Sequence, residues 1–226
     1  KLAVGLATLG VKFDHLKHGR TNIENFIIKE ISPEDINNIK NAKDEDEAKN
    51  FIQNILDNKY LKNKDVFLEN ISLLKKLWEK REKYFIANLN YFFKRNNEIL
   101  KINVYFTTLP ICPYNFKEKW FMVSFKESLL GQIHTIYHEL FHFFFIYFYS
   151  NYCRDKELPW EKFEDLKEAF TVFLNYEFKN ISTIYENGYP AHKELRNLLI
   201  NEYNKNKDLN KTVDAGIDFL KNKKSD

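Results

Sequence analysis

Five consecutive residues constrain this chain more than any others: His138-Glu139-Leu140-Phe141-His142. They lie in an apolar, aromatic run from Glu127 to about Tyr149 that reads as one helix. On a helix, positions i and i+4 share a face one turn apart, so His138 and His142 can both reach one small ion. Glu139, between them, projects to the side. Burying a carboxylate and two imidazoles in an aromatic helix is costly unless something compensates them, and a bound cation does so. The competing reading is a polar stripe on a core helix with no ligand.

Two histidines at this spacing with an intervening glutamate form the ligand-and-base pattern of a zinc hydrolase. Catalytic zinc takes three protein ligands and leaves a fourth position to water. A metzincin would place a glycine and then a histidine on the next turns, but those positions are Phe145 and Phe148. The next histidine, His192, comes only fifty residues later. The other option is a glutamate on a following helix, and Trp160 to Asn175 reads as such a helix. Pro159 marks its start, and Phe163, Leu166, Phe170 and Phe173 make its apolar stripe. Glu168 lies 26 residues after His142, among Ala169, Phe170, Phe173 and Leu174. Its apolar flanks favour it over the other register, in which Glu164 is the ligand and Glu168 supports it.

At these residues the chain resembles the gluzincin metallopeptidases, whose third zinc ligand is a glutamate on a second helix, often followed by a small residue. Glu168-Ala169-Phe170-Thr171 looks like that signature, and the resemblance covers about residues 101–180. It implies that His138, His142 and Glu168 bind Zn2+ and that Glu139 is the catalytic general base. The substrate implied is a peptide or protein. Many gluzincins carry an aspartate four residues after the third ligand, where it orients a zinc-binding histidine. Here that position is Val172, so the orienting group is expected from elsewhere, such as Asn175 or a backbone carbonyl. Family members also use a tyrosine or histidine after the glutamate helix to hold the developing oxyanion, and the candidates are Tyr185, Tyr189 and His192. His134 continues the four-residue spacing of the histidines, but is read as a core histidine held by hydrogen bonds. His15 and His18 sit beside Gly19-Arg20 in an apparent loop and are assigned nothing.

Net charge is only +3, from 35 basic and 32 acidic residues, which argues against a nucleic-acid binder with a broad basic face. Two cysteines, Cys112 and Cys153, exclude a disulfide scaffold, though not a single bridge. No run of 18 uninterrupted apolar residues is present, so no membrane span is expected. The apolar stretch Leu2 to Leu9 is short for a signal peptide. Together with the cysteine usage, this favours a cytoplasmic location.

Along the chain, residues 1–12 read as a strand or a loose arm. Ser32-Pro33-Glu34-Asp35 is a helix start, with a capping serine, proline in the first turn and early acids. The acidic run from Asp44 opens a second helix to about Leu61. From Lys64 to Asn96, Phe67, Ile71, Leu74, Trp78, Phe85, Leu89 and Phe92 trace one helical face. Alternation at Ile102, Val104 and Phe106 then marks a strand. Pro110, Pro113 and Asn115 suggest a turn, and Trp120 to Phe125 a second strand. A segment within Thr107–Phe125 is nominated to pair with a substrate backbone. Helices follow from Pro190 to about Asn204 and from Asp208 to Lys221.

The expected fold is α+β and mainly helical: a zincin-like core with a small sheet before the active-site helix, plus N-terminal helices. Residues 1–98 are expected to form a helical region that packs on, or regulates access to, a core of residues 99–226, the alternative being that the two make one compact domain. The alternatives to a peptidase are a zincin-like interaction protein without turnover, and a zinc hydrolase acting on a non-peptide bond.

Overall fold

The chain's computed structural model describes residues 32–94, 101–108, 112–182 and 184–222. The arm read at residues 1–12 and the pair His15 and His18 lie outside the described residues. The first described helix, α1 (Pro33–Lys40), starts as its sequence dictates. Ser32 Oγ accepts a hydrogen bond from the Asp35 amide at 3.1 Å, and proline occupies the first turn. Asp44 caps α2 in the same way, accepting from the Glu47 amide at 2.8 Å.

Helix α2 runs unbroken for 35 residues, Glu45–Glu79, where the sequence suggests a boundary near Leu61. Residues 62–65, just after that point, form an all-polar stretch. No glycine or proline interrupts it, so nothing stops the backbone ladder. The real break comes later, at Lys80-Arg81, before α3 (Glu82–Phe92). There the apolar stripe jumps from Trp78 to Phe85 over Arg81 and Glu82, and Arg81 Nη1 donates to the carbonyl of Leu77 at 3.2 Å, satisfying a helix-end acceptor.

Strand β1 (Asn103–Thr107) lies parallel to β3 (Trp120–Ser124), with Tyr105 opposite Met122. The segment read as a turn contains a two-residue strand, β2 (Tyr114–Asn115), antiparallel to β3. The sheet order is β1-β3-β2, which places β2 on an edge. Ser128 then caps α4 (Leu129–Asp155), its hydroxyl accepting from the Gly131 amide at 3.1 Å. The remaining elements are α5 (Trp160–Phe170), α6 (Phe173–Tyr176), a 3-10 turn (Pro190–His192), α7 (Lys193–Asn206) and α8 (Leu209–Asn222). The described residues are thus mainly helical, with a small three-stranded sheet.

Helix α4 carries HExxH through the centre of an aromatic core. Phe141, Phe143 and Phe145 are fully buried, Tyr137 stacks on Phe85 at 4.2 Å, and Phe170 and Phe173 close the side towards α5. α2 and α3 both pack on α4, so the N-terminal helices share this core. On α8, Gly216 allows close approach: a Cβ there would stand 2.5 Å from Leu166 Cδ1 of α5. Cys153 is a buried free thiol. No described helix is long and apolar enough to cross a membrane.

A cavity of about 530 Å³ opens between α2, β1 and α4, lined among others by Leu74, Trp78, Ile102, Ile136 and Leu140. Ile136 and Leu140 lie two residues from His138, on the opposite face of α4. The cavity is therefore behind the histidines, not the cleft they face.

Candidate metal centre

α4 packs on α5, and this crossing brings the HExxH histidines to Glu168. His142 Nε2 stands 3.3 Å from Glu168 Oε1, and His138 Nε2 stands 3.8 Å from Glu168 Oε2. The three side chains offer one ligand atom each within 4.8 Å of one another. Donors at about 2.0–2.1 Å from a tetrahedral zinc are themselves roughly 3.3 Å apart, so this set fits such an ion with small adjustments. His142 is 1 % exposed, and neither of its ring nitrogens makes an aligned hydrogen bond. A buried imidazole in that condition is costly unless a further partner binds it.

Electrostatics separates the two histidines. Burial, opposed by Glu168 but aided by His138 and Lys167, lowers His142 to about 3, so the ring is neutral and its lone pair available. Burial also opposes charge on His138, but the hydrogen bond and charge of Glu186, with Glu139 and Glu168 nearby, outweigh it and lift the ring to about 9. Burial alone would raise Glu168, yet His142, Lys167 and His138 hold it well below the usual carboxylate range. Glu139 is buried beside His138, and its charge is felt at both His138 and Tyr114.

The orienting group is one that sequence reasoning missed. Glu186 Oε2 accepts a hydrogen bond from His138 Nδ1 at 2.8 Å, which leaves Nε2 facing Glu168. Its neighbours fix Glu186 in turn. Asn175 Oδ1 accepts from the Glu186 amide at 2.7 Å and Asn175 Nδ2 donates to the Glu186 carbonyl at 2.8 Å. Arg196 Nη2 donates to the same carbonyl at 2.6 Å, and the Gly188 amide donates to Glu186 Oε1 at 3.1 Å. Asn175, nominated for the orienting role, instead clamps the residue that fills it. His134 lies outside the ligand set and spans Ser182 (3.1 Å) and Glu186 (3.2 Å), the hydrogen-bonded role expected of it.

Glu164 also stays outside the ligand set. It accepts from Lys167 Nζ at 2.8 Å and from the Tyr114 hydroxyl at 3.2 Å. No protein-family model, curated protein or solved structure matches this chain.

The three oxyanion candidates part company. His192 Nε2 is bound to Asp165 at 3.0 Å, with Tyr189 edge-on to its ring at 5.5 Å. Tyr185 is 66 % exposed and adjoins Glu186 in the chain.

Proposed function

We propose that this chain is a zinc-dependent peptidase in which His138, His142 and Glu168 hold the ion and Glu139 is the general base. The observation that carries this reading is the convergence of the three donors at 3.3 and 3.8 Å from two helices. When bound, zinc would act as a Lewis acid that acidifies water and polarises a carbonyl. The chain's own groups supply the rest. Glu139 takes the proton of the attacking water at its carboxylate and delivers it to the leaving amine. Glu186 holds the proton on His138 Nδ1, which keeps Nε2 directed into the site. The aromatic core around α4 buries His142 almost completely, which strengthens its interactions with Glu168.

A peptide is favoured over other hydrolysable substrates by β2. This edge strand borders the site, with the Tyr114 ring 6.4 Å from that of His142. An extended substrate can add to such an edge through backbone hydrogen bonds.

Elemental analysis of the purified protein tests the site. About one zinc per chain, lost in Glu168→Ala and kept in Glu164→Ala, is the expected result. Peptide turnover should then vanish in Glu139→Gln while zinc remains. Absence of zinc after reconstitution would reject the centre. Zinc without turnover of a peptide library would point to a non-peptide substrate or to an interaction protein.

A further inference from the structure

Lys167 is 1 % exposed, and lysine is almost never buried this fully unless it is paired. Its ammonium contacts three oxygens from two elements. Nζ donates to the Tyr114 hydroxyl of β2 at 2.6 Å and to Glu164 Oε2 at 2.8 Å, and stands 3.4 Å from Glu168 Oε1. That last oxygen is the one 3.3 Å from His142 Nε2. A fixed positive charge therefore leans on the same carboxylate that would serve as the third ligand. Neighbouring residues on a helix do not face each other. Lys167 reaches Glu168 while its ammonium is held by Tyr114 of β2 and by Glu164, one turn earlier on α5.

We propose that Lys167 is a positioning residue for the metal centre: it fixes the Glu168 carboxylate and draws off part of its charge, so that the site holds zinc more loosely and as a stronger Lewis acid. The inference rests on the zinc reading above. Its physical basis is that two positive charges sharing one carboxylate in a water-poor interior repel strongly. A donor hydrogen-bonded to a cation also gives less electron density to a metal. Glu164 and Tyr114 stop the ammonium from sliding fully onto Glu168 and capturing it as a closed ion pair.

The test compares wild type with Lys167→Met and with the double variant Lys167→Met/Glu164→Gln. Methionine keeps the stem's packing, and the double variant leaves no unpaired carboxylate should the single one fail to fold. Zinc affinity is measured by competition with a chromophoric chelator, and the visible spectrum is recorded with cobalt(II) in place of zinc. In a folded variant, zinc should bind about ten- to a hundredfold more tightly, as relief of charge repulsion requires, and the cobalt bands should shift. Unchanged affinity and unchanged bands, or weaker zinc binding, would overturn the proposal and reduce Lys167 to a tie between β2 and α5. If wild type binds neither metal, the zinc reading itself fails, and this inference with it.

Discussion

Glu186 Oε2 lies 2.8 Å from His138 Nδ1, although the two residues are 48 positions apart in the chain. The contact links a loop to α4 and leaves the other imidazole nitrogen, Nε2, facing Glu168. Removing the acceptor's charge should therefore weaken the metal site without emptying it. Glu186→Gln is expected to lower zinc affinity by about 10–100-fold, leaving secondary structure unchanged. Chelator competition measures this. Wild-type affinity in the variant would show that His138 needs no orienting carboxylate.

The loop that presents Glu186 depends on Gly188. Its φ is +65°, and a Cβ there would stand 2.2 Å from Arg196 Nη1, the guanidinium that also holds the Glu186 carbonyl. Gly188→Ala forces either backbone strain or displacement of Arg196. A loss of about 1–3 kcal/mol in stability is expected, together with reduced zinc affinity. Urea unfolding of the metal-free protein isolates the first effect. A variant as stable as wild type would mean that the loop relaxes freely.

The convergence of His138, His142 and Glu168 is readable in the sequence, and the boundary of what is readable is physical. His138 and His142 are one helical turn apart, so spacing alone aligns them, and Glu168 was visible from its apolar flanks and following alanine. Glu186 was not, because a loop residue has no periodicity to betray which face it meets. The position that a family pattern would have used, Val172, is 3 % exposed and packs in the core. Nothing in the sequence marks the burial of Lys167, which depends on Tyr114 arriving from a strand of only two residues. The helix end expected near Leu61 does not occur, because the polar residues after it do not stop a helix. A long helix tolerates polar residues so long as its ladder is intact.

Metal-free stability should peak near pH 6.5. His138 is lifted from 6.5 to about 9 in the folded chain, so its contribution is complete below 6.5 and disappears as pH rises through 9. His142 is lowered from 6.5 to about 3, so its contribution is complete above 6.5 and disappears as pH falls towards 3. Glu186, held far below its ordinary 4.5, adds to the acid-side loss below that pH. Zinc needs His138 neutral, so the gain in Tm on adding zinc should grow between pH 6.5 and 9. Calorimetry with chelator and with zinc measures both curves. A metal-free Tm that climbs steadily to pH 9 would sink the charged His138–Glu186 pair.

The packing of α8 on α5 gives a route from the core to the site. Gly216 lies against Leu166, two residues before Glu168. Gly216→Val overfills this contact and should cost about 1–3 kcal/mol. The shift in α5 should also weaken zinc binding. Calorimetry and chelator competition on one sample separate the two effects, and lost stability with wild-type zinc affinity would show that α5 holds Glu168 independently of α8.

Tyr185 supplies the last prediction. It adjoins Glu186, which is fixed against His138, and it is the most exposed of the three candidate donors. His192 is occupied by Asp165, which leaves it poorly placed to reach a substrate. If Tyr185 donates its hydroxyl to the developing oxyanion, Tyr185→Phe should lower kcat about a hundredfold or more with little change in KM. Zinc content should stay at the wild-type level, because the hydroxyl is not a ligand. His192→Gln, by contrast, should act mainly on stability through the lost Asp165 contact. A Tyr185→Phe variant with unchanged kcat would move the donor role to Tyr189 or to a group on the β2 side of the cleft.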